Sequence, residues 1–182
     1  NEIIPCDALL LSVGLIPENE LSKKAGVLLD PVTNGPFVDD RFMTSVPGIF
    51  AAGNVVHVYD LVDWVTEAGY VAGKGAAQYA LAEKVSAGEH IPFKAGENIR
   101  YVVPHKLDKS HLAEDVVRLQ MRAINPIEDR VLVTVEDQNG EVISKKAEPY
   151  ARPGEILSLT IKPKSHDAVQ NATGLSVHVR RR

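Results

Sequence analysis

Gly53 and Asn54 follow the apolar run Ile49-Phe50-Ala51-Ala52, and this is the point in the sequence best suited to holding a ligand. At the end of a buried parallel strand, such a pair sits at the carboxyl edge of the sheet, where open α/β folds bind their ligands. Gly53 has no side chain to obstruct a close-lying phosphate or sugar chain. The Asn54 amide can both donate to and accept from a hydroxyl group. A helix opening near Asp63 adds a second element, with unpaired backbone N–H groups and the positive end of its dipole. In the alternative reading, Asn54 closes a turn and Asp63 caps a helix, with no ligand involved.

Other chemistry-bearing residues carry less. Cys6 is the single cysteine, so there is no internal disulfide and no Cys-x-x-Cys pair. It precedes an apolar strand without a basic neighbour, which predicts an inert core thiol. The six histidines, His57, His90, His105, His111, His166 and His178, show no metal-ligand spacing with one another or with Cys6, and no metal site is expected. His57, the nearest to Asn54, could donate a proton, though a loop histidine more often makes a local hydrogen bond. Trp64 could stack on a ligand or pack beneath the loop. Gly69-Tyr70-Val71-Ala72-Gly73-Lys74-Gly75 has one residue too few between its glycines for a phosphate loop, lacks Ser or Thr after Lys74 and lies within a helical pattern. No catalytic residue can be named.

The elements that must position these residues are α/β in texture. Ala8-Leu9-Leu10-Leu11-Ser12-Val13, closed by Gly14, predicts a strand covered on both faces. Asn19 to Ala25 suits a short helix ending at Gly26. Val27-Leu28-Leu29 and Phe37-Val38 predict short strands around a Pro31/Asn34-Gly35 turn. Ile49 to Ala52 is the second buried strand, expected to pair with Ala8–Val13. A helix is predicted from about Asp63 to Val85, with Asp60 or Asp63 as its cap and Ser86-Ala87-Gly88 after it. Gly69, Gly73, Ala76, Ala77 and Ala80 form a small stripe, which predicts close approach of another backbone.

From Ile99 onward the apolar period changes to two. Val117, Leu119, Met121 and Ala123 alternate with Arg118, Gln120 and Arg122, and similar runs cover 131–135, 157–161 and 175–179. Gln138-Asn139-Gly140 turns the chain into Val142-Ile143. With Tyr101-Val102-Val103 the pattern predicts a two-sheet sandwich of immunoglobulin or fibronectin-III type. The composition, 45% hydrophobic and 24% charged, excludes a disordered chain, and a net charge of −4 argues against nucleic acid or an anionic membrane as partner. The longest apolar run is too short to span a bilayer, and no signal peptide is present. A cytoplasmic location is therefore expected.

These residues carry a resemblance. Thr44-Ser45-Val46-Pro47-Gly48-Ile49-Phe50-Ala51-Ala52-Gly53-Asn54 resembles the second flavin-binding motif of the pyridine-nucleotide-disulfide oxidoreductase superfamily. Cys6-Asp7-Ala8 through Ser12 to Pro17 is similar to the family's return strand from the nucleotide domain into the flavin domain. Val65-Thr66-Glu67-Ala68-Gly69 opens the helix that follows the motif. The resemblance covers residues 2 to 88. It implies that Gly53 and Asn54 face the ribityl chain of FAD, and that the backbone amides of Asp63, Trp64 and Val65 face the N1/O2 edge of the isoalloxazine, where negative charge grows on reduction. The family usually has Asp where Asn54 stands, and Val62 brings no cation to that edge, so the backbone dipole would act there alone.

The expected fold class is thus part of a Rossmann-like FAD-binding domain (1–97) followed by an all-β immunoglobulin/fibronectin-III-like sandwich (98–182). The chain begins at Asn1 and contains no Gly-x-Gly-x-x-Gly turn for the pyrophosphate. It is expected to be the C-terminal part of an FAD-dependent oxidoreductase that takes hydride from NADH or NADPH, and to be inactive alone. Its expected partners are the N-terminal flavin and nucleotide regions of the same chain, with self-association to cover apolar faces. The alternative is a non-catalytic interaction module, the sandwich docking a partner or the flavin domain itself.

Overall fold

The computed structural model describes residues 3–12, 14–81, 88–109, 111 and 115–182. Helix α1 (Glu20–Lys24) is followed by two tight hairpins. In the first, the Phe37 amide donates to the Leu28 carbonyl at 2.8 Å and the Asp30 amide to that of Gly35 at 2.9 Å. In the second, Met43 bridges Phe50, and the Ala51 amide donates to the Phe42 carbonyl at 3.0 Å. Asn19 ties these pieces together, its Nδ2 donating to the carbonyls of Asn34 and Val55.

Two expectations for this part are corrected. Ala8 to Ser12 is neither helix nor strand and pairs with no described strand, with Leu9, Leu10 and Leu11 each more than two-thirds exposed, and Val13 lies outside the described residues. Ile49 to Ala52 does not pair with it; this segment folds back on 42–44 and is at best half-buried. A run that is apolar on both faces needs cover on both sides to become a central strand, and no described strand flanks it. Cys6, on the same segment, is accordingly exposed and is not a core thiol.

Helix α2 (Val62–Leu81) buries Ala68, Ala72 and Gly75. The close approach predicted for the small stripe falls elsewhere. Gly69 and Gly73 are exposed, with nothing near the place of a Cβ, whereas a Cβ on Gly75 would lie 2.9 Å from the Arg41 carbonyl and 3.2 Å from the Phe50 ring. The described helix ends at Leu81, and the expected continuation through Val85, Ser86 and Ala87 lies outside the described residues.

Among the described residues the remainder holds eight strands: β1 (His90–Ala95), β2 (Ile99–Val103), β3 (Lys106–Asp108), β4 (Val117–Ala123), β5 (Val131–Glu136), β6 (Val142–Glu148), β7 (Leu157–Ile161) and β8 (Leu175–Arg181). A short helix, α3 (His166–Gln170), joins β7 to β8. One sheet has the order β3-β1-β8-β5-β6 and is mixed, because β1 runs parallel to β8; the other, β2-β4-β7, is antiparallel. Alternating residues of both sheets, among them Leu119, Met121, Val133, Leu159, Leu175 and Val177, share one apolar core. The alternation read from the sequence thus places four strands, β4, β5, β7 and β8, and their inward faces correctly. Strands β1 and β3 lacked a periodic signal. Pro92 marks where β1 changes partner, from β3 at residues 90–92 to β8 at 93–95. The expected boundary between 97 and 98 falls between β1 and β2, although β1 is hydrogen-bonded to β8.

A second apolar cluster joins the two parts. Val38, Phe42, Val56, Tyr59, Ala68 and Ala72 pack with Tyr101 and Val103 of β2 and Ile156, so α2 and the hairpins lie against the smaller sheet. Polar ties run alongside. The Val38 amide donates to His105 Nδ1 at 3.1 Å, and Asp40 accepts from His111 Nδ1 and from the Asp108 amide, both at 2.8 Å. Among the described residues no helix is long and apolar enough to cross a membrane.

Candidate site at the Gly53 turn and the start of helix α2

Gly53 is buried and has φ +81°, a left-handed conformation that favours glycine. It opens a single 3₁₀ turn, Gly53–Val55, closed by the Val56 amide donating to the Gly53 carbonyl at 2.9 Å. A Cβ here would touch Val65 Cγ1 at 3.4 Å, so the turn lies directly against the first turns of α2. The two elements singled out in the sequence therefore meet. Asn54 Oδ1 accepts the Tyr59 amide at 3.1 Å and closes the loop between them. The turn-closing role and an outward contact are compatible, since no described residue bonds its Nδ2.

At the helix start, the amides of Trp64 and Val65 both donate to the Leu61 carbonyl, at 3.2 and 3.4 Å. The unpaired donors predicted at Asp63, Trp64 and Val65 are thus displaced by one residue. Val62 and Asp63 are the two whose amides find no acceptor among the described residues, and both are exposed. The helix begins one residue earlier than the sequence suggested, and Leu61 takes the place given to a carboxylate cap. Trp64 and Val65 are half-buried against the apolar cluster, so the indole packs there. On one side Trp64 meets Phe42, Ala68 and Val71, and on the other it faces Tyr150, Arg152 and Ile156 across a shallow cavity.

Between Asn54 and α2 the loop is anchored by groups the sequence did not single out for this role. Asp60 caps nothing. Its Oδ1 accepts from Arg122 of β4 at 2.5 Å and its Oδ2 from the Ile156 amide at 2.6 Å. Arg122 also donates to the Tyr101 hydroxyl and to the Val58 carbonyl, each at 3.1 Å. His57 is 1% exposed, with Nδ1 3.3 Å from the Tyr101 hydroxyl and its ring tilted against that of Tyr59, centroids 4.2 Å apart. Burial above all, with the Arg122 charge adding to it, pushes the His57 pKa down to about 4 even though Gln120 lies close by. The imidazole is therefore neutral near pH 7 and is not a charged acid there. Its Nε2 has no partner in hydrogen-bonding geometry. Nothing local in the sequence marks Arg122, which reads as one outward residue of an alternating strand.

This arrangement offers a bare backbone turn and two outward amides at the positive end of a 20-residue helix. Those groups suit a hydroxylated chain and a ring edge that gains electron density. Of the three amides singled out in the sequence, that of Asp63 has no acceptor among the described residues, and that of Val62 beside it has none either. Among the described residues no cluster of His, Cys, Asp and Glu could hold a metal.

Comparison with known proteins places the same stretch in a family. Residues 1–69 match the model for pyridine nucleotide-disulphide oxidoreductases. The chain is 32% identical to the mitochondrial dihydrolipoyl dehydrogenase of Mesocricetus auratus over 105 residues, 57% of this chain and 20% of that protein. It is 37% identical to the dihydrolipoyl dehydrogenase of Manduca sexta over 76 residues, 41% of this chain and 15% of that protein. Apoptosis-inducing factor 3 of Mus musculus is 24% identical over 165 residues, 83% of this chain and 27% of that protein. The chain thus spans about a fifth of the dihydrolipoyl dehydrogenases it matches. No solved structure matches it significantly. The matched segment contains the Gly53 turn, the anchored loop and the start of α2, so it is this part of the chain that is similar to the pyridine nucleotide-disulphide oxidoreductases.

Proposed function

We propose that this chain supplies the ribityl and isoalloxazine side of the FAD site in an FAD-dependent, NAD(P)H-linked oxidoreductase. Gly53 and Asn54 lie along the sugar chain, and the amides at the start of α2 face the ring. When bound, the flavin accepts hydride from NADH or NADPH and passes electrons onward. The chain's own residues hold the cofactor and oppose charge on the ring with a helix dipole that no side-chain cation reinforces. The observation carrying this reading is the contact between the Gly53 turn and α2, with the Val62 and Asp63 amides unpaired beside it.

In this reading the remaining flavin-binding and nucleotide-binding regions belong to the same polypeptide, and the protein is cytoplasmic. The eight strands form a sandwich of immunoglobulin type, with β1 beside β8 in the place of a closing strand. The test is Asn54→Leu in the full-length protein. Weaker FAD retention is expected, with the fold unchanged by circular dichroism. Retention equal to wild type would remove Asn54 from the site.

The interaction-module reading is favoured by one observation, the Asp60–Arg122 anchor, by which the two-sheet part holds the loop before α2.

A further inference from the structure

The loop joining the Gly53 turn to α2 is held from outside its own segment. Four of its fixed points lie on or beside the smaller sheet. Arg122 of β4 bonds the Asp60 carboxylate and the Val58 carbonyl; the Ile156 amide bonds the other Asp60 oxygen; and the Tyr101 hydroxyl of β2 lies between Arg122 and His57. The Arg122 side chain is 14% exposed and that of Asp60 30%, so the pair is shielded from solvent. A planar guanidinium with four acceptors, on Asp60, Val58, Tyr101 and Pro153, fixes a direction as well as a distance, which a lysine ammonium cannot do.

Two residues beyond Asp60, α2 starts, and the Val62 and Asp63 amides take their orientation from that point. We infer that Arg122 is a positioning residue for the cofactor site: through Asp60 and Val58, the two-sheet part sets where the helix start faces the isoalloxazine. This inference rests on the flavin reading above and deepens it. It assigns the C-terminal strands a role in tuning the ring environment, instead of recruitment of a separate partner.

Arg122→Gln and Arg122→Lys test it with two readouts. The first is amide hydrogen exchange in this 182-residue chain, which needs no cofactor. Arg122→Gln should raise exchange at residues 58–65 by about tenfold, the cost of removing a charged hydrogen-bond donor, and leave β5 and β8 unchanged. The second is the flavin of the full-length protein. Arg122→Gln should shift its midpoint potential and speed its dissociation about tenfold, with Arg122→Lys intermediate in both. Melting temperatures of both variants report any general loss of fold.

Unchanged exchange at 58–65 overturns the inference. So does raised exchange with the potential and dissociation of the flavin unaltered. A full-length protein that binds no flavin removes the flavin reading itself and this role with it. The two failures are distinguishable because the exchange measurement does not involve flavin.

Discussion

His57 lies close to the proposed cofactor edge, and its chemistry follows from burial. With its pKa pushed down to about 4, chiefly by burial, it is neutral in the folded chain at any pH above that value. The unfolded chain protonates the same histidine near its ordinary value of 6.5. Between those two values the unfolded state binds the extra proton, so His57 makes stability fall as the pH drops. From about pH 7.5 to 5 the loss is roughly 2 kcal/mol. His111 works in the opposite sense. Burial alone would lower its pKa, yet the Asp40 carboxylate hydrogen-bonded to it raises it, so its stabilisation is present at low pH and is lost as pH rises through the raised value. Denaturant unfolding of His57→Gln at the two pH values should show a loss smaller by about 2 kcal/mol than wild type. Equal losses in the two proteins would mean that His57 protonates in the folded state without penalty. The turn at Gly53 and Asn54 could be read in the sequence because its hydrogen bonds join residues close along the chain. His57 and Arg122 could not, since their roles depend on which strand lies opposite.

At the scale of elements, α2 has two glycine environments that respond oppositely to a side chain. Gly75 is closed in by the Arg41 backbone and the Phe50 ring. Gly75→Val should destabilise the chain by roughly 2 kcal/mol, because the obstructing carbonyl belongs to the main chain and cannot rotate away. Gly73 faces open space, and Gly73→Ala should stabilise the isolated chain by about 1 kcal/mol through helix propensity alone. Thermal melts of the two variants check both signs. If the exposed face of Gly69 and Gly73 receives another backbone in the full-length protein, the same Gly73→Ala change should destabilise that protein. Strand β1 offers a parallel case. It supplies Ile91 and Phe93 to the core and pairs with the last strand. A chain of residues 98–182 should therefore lose cooperative unfolding that one of residues 88–182 retains, since each buried side chain contributes about 2 kcal/mol. Equal melts would make β1 dispensable.

At the scale of the whole molecule, one apolar surface has no cover among the described residues. Leu9, Leu10, Leu11, Leu15 and Ile16 are all largely exposed on the N-terminal segment, as is Tyr70 on α2. In the proposed oxidoreductase these residues lie against the rest of the flavin domain. The chain itself has no Gly-x-Gly-x-x-Gly turn to receive a pyrophosphate. It should therefore bind FAD no more tightly than micromolar, as read by fluorescence quenching of added FAD. Co-purification of this chain with a yellow chromophore would contradict that expectation. Adding the complementary N-terminal region should restore binding and bury the leucines, which proteolysis of the N-terminal segment can follow.

The residue order alone determined whatever depends on period and on local turns. These are the alternating strands from Val117 onward, the Asn139-Gly140 turn, helix α2 and the motif ending at Gly53-Asn54. Each is set by contacts within a few residues or by a repeating inside–outside pattern, and both can be read along the chain. The tertiary structure decided the rest. It left Ala8 to Ser12 without a partner strand among the described residues, gave the close approach to Gly75 instead of Gly69 and Gly73, and placed β1 parallel to β8. It also turned Asp60 from a helix cap into the partner of Arg122, 62 residues away. Those outcomes depend on which distant surfaces meet, and neither hydrophobic period nor residue type encodes the partner of a carboxylate across a packed interface.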